Sequence, residues 1–242
     1  MKRLTKVTAG LATTAVALLG VSGTALAATS PAPAVSPAPS HAPQTLAAIK
    51  AQAATDIARR LAALSVAIND VTNSTAISAG DKTTLLATLN ADVTGLTALG
   101  TTIAGDTTVQ QAATDFKTIF TGFRVYALAL PQVHFAAAAD TITVTVLPKL
   151  TDAQSKLAAL LAGADSGKNT PAVQALMTDL GNQITAITSE TSGLSATVLA
   201  YTPAQYDANH ALLSPSRASL AISRDDIRTA RGDIATVVAD LK

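Results

Sequence analysis

Residues 220–241 read LAISRDDIRTARGDIATVVADL, and this stretch decides the fold class. Its apolar or small side chains recur at alternating steps of three and four residues, which places them at positions a and d of a heptad. The seven seam residues are Leu220, Ser223, Ile227, Ala230, Ile234, Val237 and Leu241. Ser223 is polar and needs a hydrogen-bond partner in such a seam. The pattern predicts an amphipathic helix packed against neighbouring helices.

Charged residues flank this seam on both sides. Position e holds Arg217, Arg224 and Arg231, and position g holds Asp226, Asp233 and Asp240. Opposite charges at e and g select the neighbour of a helix and its orientation, so we expect coiled-coil-like packing. As an alternative, Arg217, Arg224, Arg228 and Arg231 could form a stripe that contacts an anionic wall polymer or lipid headgroups, although the interleaved aspartates lower its positive potential.

The helical periodicity extends upstream to residue 44. It predicts helices over residues 46–71, 86–103, 107–130 and 131–162, with Thr-Pro or Ser-Pro start signals at residues 170, 202 and 214. Pro131 should break or kink the chain between the third and fourth helices. Residues 141–146, TITVTV, have the composition of a strand, but their surroundings favour helix.

These patterns together predict an all-α fold, an elongated up-and-down bundle of about six helices. The helices could form one bundle over residues 44–242 or two three-helix units over residues 44–130 and 131–242, because helix number alone does not separate the two arrangements.

The first 43 residues predict where the protein is located rather than how it folds. Residues 1–27 have the basic start, apolar run and Ala25-Leu26-Ala27 cleavage site of a signal peptide. The run is too short for a comfortable membrane span of ~20 residues, so we expect no transmembrane segment after cleavage. Residues 28–43 hold half of the ten prolines, which predicts a disordered, extended spacer that is either a stalk or a simple leader.

Composition excludes several classes of function. The chain has no cysteine, which rules out thiol catalysis, thiolate metal sites and disulfides. It has 17 Lys+Arg against 16 Asp+Glu, and three of the basic residues precede the predicted cleavage site. The rest of the chain therefore lacks the excess of basic residues that is typical of a nucleic-acid binder. Glu190 is the only glutamate, and His210 follows Asp207 by one turn without a second half-site. Because no nucleophile elbow or HExxH motif occurs either, we expect no enzyme activity, cofactor or metal.

One aromatic cluster surrounds Pro131. All four phenylalanines lie within residues 116–135. The rings could simply fill the space that a kink opens. The alternative is a small apolar ligand pocket with polar groups at its mouth, formed by Phe120, Phe123, Arg124, Tyr126, His134 and Phe135.

Residues 123–134, FRVYALALPQVH, and residues 206–234, YDANHALLSPSRASLAISRDDIRTARGDI, resemble secreted, Ala- and Thr-rich helical proteins of high-GC Gram-positive bacteria (actinobacteria). The resemblance implies an all-helical fold and export, and it brings no active site, because that group has no established activity.

The sequence therefore predicts a secreted, non-catalytic helical protein that acts by contact at the bacterial cell envelope. Its partner would be a cell-wall polymer or another envelope protein, held non-covalently if the chain is retained at all. The alternative is a soluble carrier of a small apolar ligand that binds at the aromatic cluster.

Overall fold

The computed structural model describes residues 45–242, and every regular element in that part of the chain is helical. The α-helices are α1 (Leu46–Asn73), α2 (Ala79–Gly105), α3 (Val109–Thr121), α4 (Leu130–Asp140), α5 (Leu147–Ala162), α6 (Pro171–Thr191), α7 (Leu194–Leu199), α8 (Pro203–Ala208) and α9 (Ser214–Asp240). The all-α prediction is confirmed. The predicted signal peptide and spacer lie outside the described residues.

Hydroxyl side chains begin five of these helices. Each accepts a hydrogen bond from the backbone N–H three residues later, which satisfies one of the free donors of the first turn. The capping residues are Thr45, Ser78, Thr108, Thr170 and Thr202. The start signals at Thr170 and Thr202 are thus confirmed. Ser214 is instead the first helical residue of α9, and Leu213 precedes it without a side-chain cap.

Pro131 does not break the chain where the sequence predicted. Helix α3 already ends at Thr121, and the turn that follows contains Arg124 in the left-handed region at φ 46°. A π-helical segment, Val125–Ala129, then runs directly into α4. Its wide turn lets the Leu130 N–H bond the Val125 carbonyl, and this spacing relieves the clash between a proline ring and the carbonyl four residues earlier.

The same device recurs before Pro148. Residues Thr141–Val146, which had the composition of a strand, form a second π-helical segment between α4 and α5. The Leu147 N–H bonds the Ile142 carbonyl across it. Residues 125–162 are therefore one continuous helical stretch that contains two prolines, instead of a helix that starts at Pro131.

The core is built from two principal clusters of buried side chains. The first joins α1, α2 and α3, where α1 and α2 are antiparallel and the Lys50 ammonium donates to the Ala104 carbonyl at 2.7 Å. The second joins α4, α6, α7 and α9. A smaller cluster joins the far ends of α5, α6 and α9. Residues 125–140, called here the central segment, contribute side chains to both principal clusters: Ala129, Val133 and Ala136 to the first, and Leu128, Phe135 and Ala139 to the second.

The seam predicted for α9 lies in the core. Leu220, Ile227 and Val237 are buried, and Ile234 and Leu241 are partly buried. Ser223 is fully buried, and its hydroxyl donates to the Ser219 carbonyl at 2.9 Å. The polar seam residue thus finds its partner within its own helix.

We expect Ile227→Asp to destabilise the domain by ~3 kcal/mol or more, because it places an unpaired carboxylate among apolar side chains. Ile222→Asp on the same helix is the matched control, since Ile222 is 47% exposed and Ile227 only 7%. Urea unfolding followed by circular dichroism measures both. Equal midpoints for the two variants would contradict the seam.

Candidate binding cleft between α4 and α9

An open cleft of about 350 Å³ lies between α4 and α9. Its lining consists of Pro131, His134, Phe135 and Ala138 from α4 and of Arg217, Leu220 and Arg224 from α9. Phe135 and Leu220 are buried and form the floor, whereas His134 and both arginines are exposed at the rim. The cleft therefore combines an apolar floor with a basic edge.

Helical spacing explains why these residues meet. The four residues of α4 are spaced i, i+3, i+4 and i+7, so they share one face of that helix. Arg217 and Arg224 are seven residues apart, which is two turns or ~10.5 Å along the axis. Leu220 lies between them on the same side. Both arginine side chains therefore border the apolar floor.

The rim is unbalanced in charge. Neither Arg217 nor Arg224 has an ion-pair partner among residues 45–242, and the cleft lining contains no carboxylate. Arg228 differs, because its Nη2 lies 2.8 Å from Asp225 Oδ1. Arg231 is exposed but is not part of the lining. The predicted stripe of four arginines thus divides into a pair at the cleft and a pair outside it.

The structure does not bring the six predicted pocket residues together. His134 and Phe135 line the α4/α9 cleft, whereas Phe120, Arg124 and Tyr126 line a separate cleft of about 180 Å³. Phe123 lies in neither cleft and packs against α2 where Gly95 makes room, because a Cβ on Gly95 would be 2.5 Å from the ring. His134 and Phe135 lie on the face of α4 that meets α9, whereas Phe120 and Tyr126 contact Arg60 of α1, so the two groups line different clefts.

The smaller cleft contains an arginine that the sequence reading missed. Arg60 is only 8% exposed, and its guanidinium lies 4.4 Å from the Phe120 ring centroid and 5.4 Å from that of Tyr126. Its Nη1 donates to the Asp56 carbonyl at 3.0 Å. Cation–π contacts and this bond compensate for its burial. The signal was present in α1, whose buried positions 53, 57, 60, 64, 67 and 71 alternate by four and three.

Arg124 has a structural task in the turn after α3. Its carbonyl accepts hydrogen bonds from the Ala127 and Leu128 N–H groups at 3.1 and 2.7 Å. Its guanidinium pairs with Asp207 on α8 and lies 5.7 Å from the Tyr206 ring centroid. The His210 ring packs edge-on against the Tyr206 ring, with the two ring centroids 5.2 Å apart. Asp207 is therefore engaged in an ion pair and His210 in a ring contact. Residues 45–242 contain no cluster of three or more metal-ligating side chains.

The other side of α9 carries aspartates that lie near acidic residues of α6. Asp226 lies near Glu190 of α6, and Asp233 lies near Asp179, so α6 and α9 run antiparallel. Burial raises the pKa of both α9 carboxyls, and the neighbouring acids raise each pKa further. Among residues 45–242, no donor bonds the buried Asp233 Oδ2, so it can bond Asp179 only when one of the two carboxyls holds a proton. The expectation that opposite charges would select this neighbour is wrong for these two positions.

A third acid pair, Asp81 and Asp140, joins α2 to α4. Asp140 is buried at the end of α4 and accepts the Ser78 N–H at 2.6 Å. Asp81 is its acidic neighbour, and the Ser195 hydroxyl of α7 donates to Asp81. Burial raises the pKa of Asp140, the Ser78 hydrogen bonds lower it, and Asp81 raises it. In α2, burial also raises the pKa of Asp92 to about 6.

No family model, curated protein or solved structure matches this chain. Within residues 45–242, no helix combines the length and apolar character needed to cross a membrane.

We expect the domain to be more stable at pH 5 than at pH 7.5. A carboxyl whose pKa is raised by folding binds protons more tightly in the folded chain, so stability increases as pH falls from about 6, the pKa of Asp92, towards the ordinary value of 3.8. Thermal melting at the two pH values measures this difference.

Asp233→Asn isolates one contribution to this pH dependence. It should raise Tm at pH 7.5 and reduce the difference between the two pH values, because the amide removes the repulsion from Asp179. Each kcal/mol recovered raises Tm by roughly 2–4 °C for a domain of this size. Asp240→Asn, at an exposed g position of the same helix, is the control. A higher Tm at pH 7.5 than at pH 5 for the unchanged chain would contradict the prediction.

Proposed function

We propose that this chain is an exported, non-catalytic interaction protein of the bacterial cell envelope, and that it contacts an anionic envelope component at the α4/α9 cleft. The observation that carries the proposal is the pair of exposed arginines, Arg217 and Arg224, which border an apolar floor that has no carboxylate from residues 45–242 in its lining. Guanidinium groups bind carboxylate and phosphate groups through two parallel hydrogen bonds, so an unpaired arginine pair favours an anionic partner.

Two further features support this function. The signal-peptide and spacer patterns of residues 1–43 favour export. Three polar residues outside the cleft hold the fold: Arg60 contacts Phe120, Arg124 pairs with Asp207, and Asp140 accepts from Ser78. The α4/α9 cleft combines two exposed arginines with a buried apolar floor, so contact at this surface is the activity that we propose.

Co-sedimentation with isolated actinobacterial cell walls tests the proposal. We expect the chain to pellet with walls at low salt and to be released at high salt, because screening weakens exposed ionic contacts. Arg217→Gln/Arg224→Gln should reduce the pelleted fraction severalfold. Both positions are exposed, so the fold should survive these changes.

Arg228→Gln/Arg231→Gln is the matched control, because it removes the same number of charges from the same helix outside the cleft. Equal losses for the two double variants would indicate a general charge effect and would reject the cleft as the contact. Pelleting that does not respond to salt, or no pelleting at all, would reject the anionic partner.

A second candidate function is a carrier of a small apolar ligand. The buried floor formed by Phe135 and Leu220 favours it, because apolar side chains line most small-molecule sites. Native mass spectrometry of the chain purified from an actinobacterial host should then show a co-purifying lipid. A single mass equal to that of the polypeptide would contradict a carrier role.

A further inference from the structure

We infer that the α4/α9 cleft is selective for an alkyl phosphate, meaning a phosphomonoester head attached to an apolar chain. The inference rests on the proposed function and deepens it by naming the chemical class of the anionic component. It follows from the presence of a basic rim and an apolar floor in one cleft. The cleft volume of about 350 Å³ is within the size range of small-molecule sites.

The rim determines the head group. Arg217 and Arg224 lie two turns apart on α9, and His134 faces them from α4 as a third polar group. A phosphomonoester offers three acceptor oxygens and a charge close to −2 at neutral pH, so one head group has acceptors for more than one of these rim donors. A carboxylate has two oxygens and one charge, and it satisfies this rim less completely.

The floor determines the chain attached to that head. Pro131, Phe135, Ala138 and Leu220 present apolar surface in the same cleft as the arginines. An inorganic anion would leave this surface in contact with water, whereas an alkyl chain would cover it. Each methylene transferred from water contributes a factor of roughly two to four in affinity when it is partly to fully buried. Chain length should therefore strengthen binding in steps.

Isothermal titration with the full chain from an actinobacterial host tests the inference. The probes are octyl phosphate below its micelle concentration, ethyl phosphate, octanoate and octanol. We expect octyl phosphate to bind at least tenfold more tightly than each of the other three. Equal affinity for ethyl phosphate would show that the floor is unused, and equal affinity for octanol would show that the arginines are unused; either result overturns the inference. Equal affinity for octanoate overturns the phosphate selectivity.

Two variants separate the head-group contacts from the chain contacts. Arg217→Gln/Arg224→Gln should weaken octyl phosphate binding at least tenfold, since bonds to charged groups are among the stronger ones. Arg228→Gln/Arg231→Gln should change it less than twofold. Ala138→Phe fills the half-buried floor, and should weaken octyl phosphate while leaving ethyl phosphate unchanged. The probe series on the unaltered chain decides the matter if Ala138→Phe does not fold.

The inference and the proposed function fail in different ways. Salt-sensitive binding to walls without selectivity for octyl phosphate would reject the inference and leave the proposed function standing. Selective binding of octyl phosphate without any binding to walls would reject the proposed function and leave the inference standing.

Discussion

The fold depends on the burial of the central segment, residues 125–140, against two different groups of helices. Ala129 and Val133 pack with α1, α2 and α3, while Phe135 and Ala139 pack with α6, α7 and α9. Gln132, buried in the same segment, donates to the Val198 and Tyr201 carbonyls at the end of α7 at 2.8 and 2.9 Å. A helix with two buried sides has little freedom to rotate, so this segment fixes the position of every helix that packs on it.

The π-helical segments let this constraint coexist with proline. A regular α-helix would place the ring of Pro131 against the carbonyl of Ala127, four residues earlier. The wide turn at Val125–Ala129 removes that clash and keeps the chain helical, and Thr141–Val146 does the same before Pro148. The continuous stretch also determines the cleft, because it presents one face of α4 to α9 where Arg217 and Arg224 emerge. The cleft thus depends on the π-helical segments that keep the chain helical at Pro131 and Pro148.

Helix α9 carries its charges to two different environments. Two of its three e-position arginines, Arg217 and Arg224, line the cleft, while its g-position aspartates Asp226 and Asp233 lie near acids of α6. Because of this separation, a nearly neutral chain still carries a locally basic cleft. Heptad position predicted which residues share a side of α9, and it predicted the seam including Ser223. It did not predict which helix each side would meet, and for that reason the neighbours expected for the aspartates were wrong.

The sequence by itself determined the helical class, the helix starts at Thr170 and Thr202, and the buried face of α9, because caps and apolar periodicity act within one helix. The tertiary structure decided where α3 ends, how the aromatic residues divide between two clefts, and that Arg60 is buried against Phe120. It also decided that Arg217 and Arg224 meet His134. These features depend on contacts between residues far apart in the chain, and local patterns carry no information about which helices become neighbours.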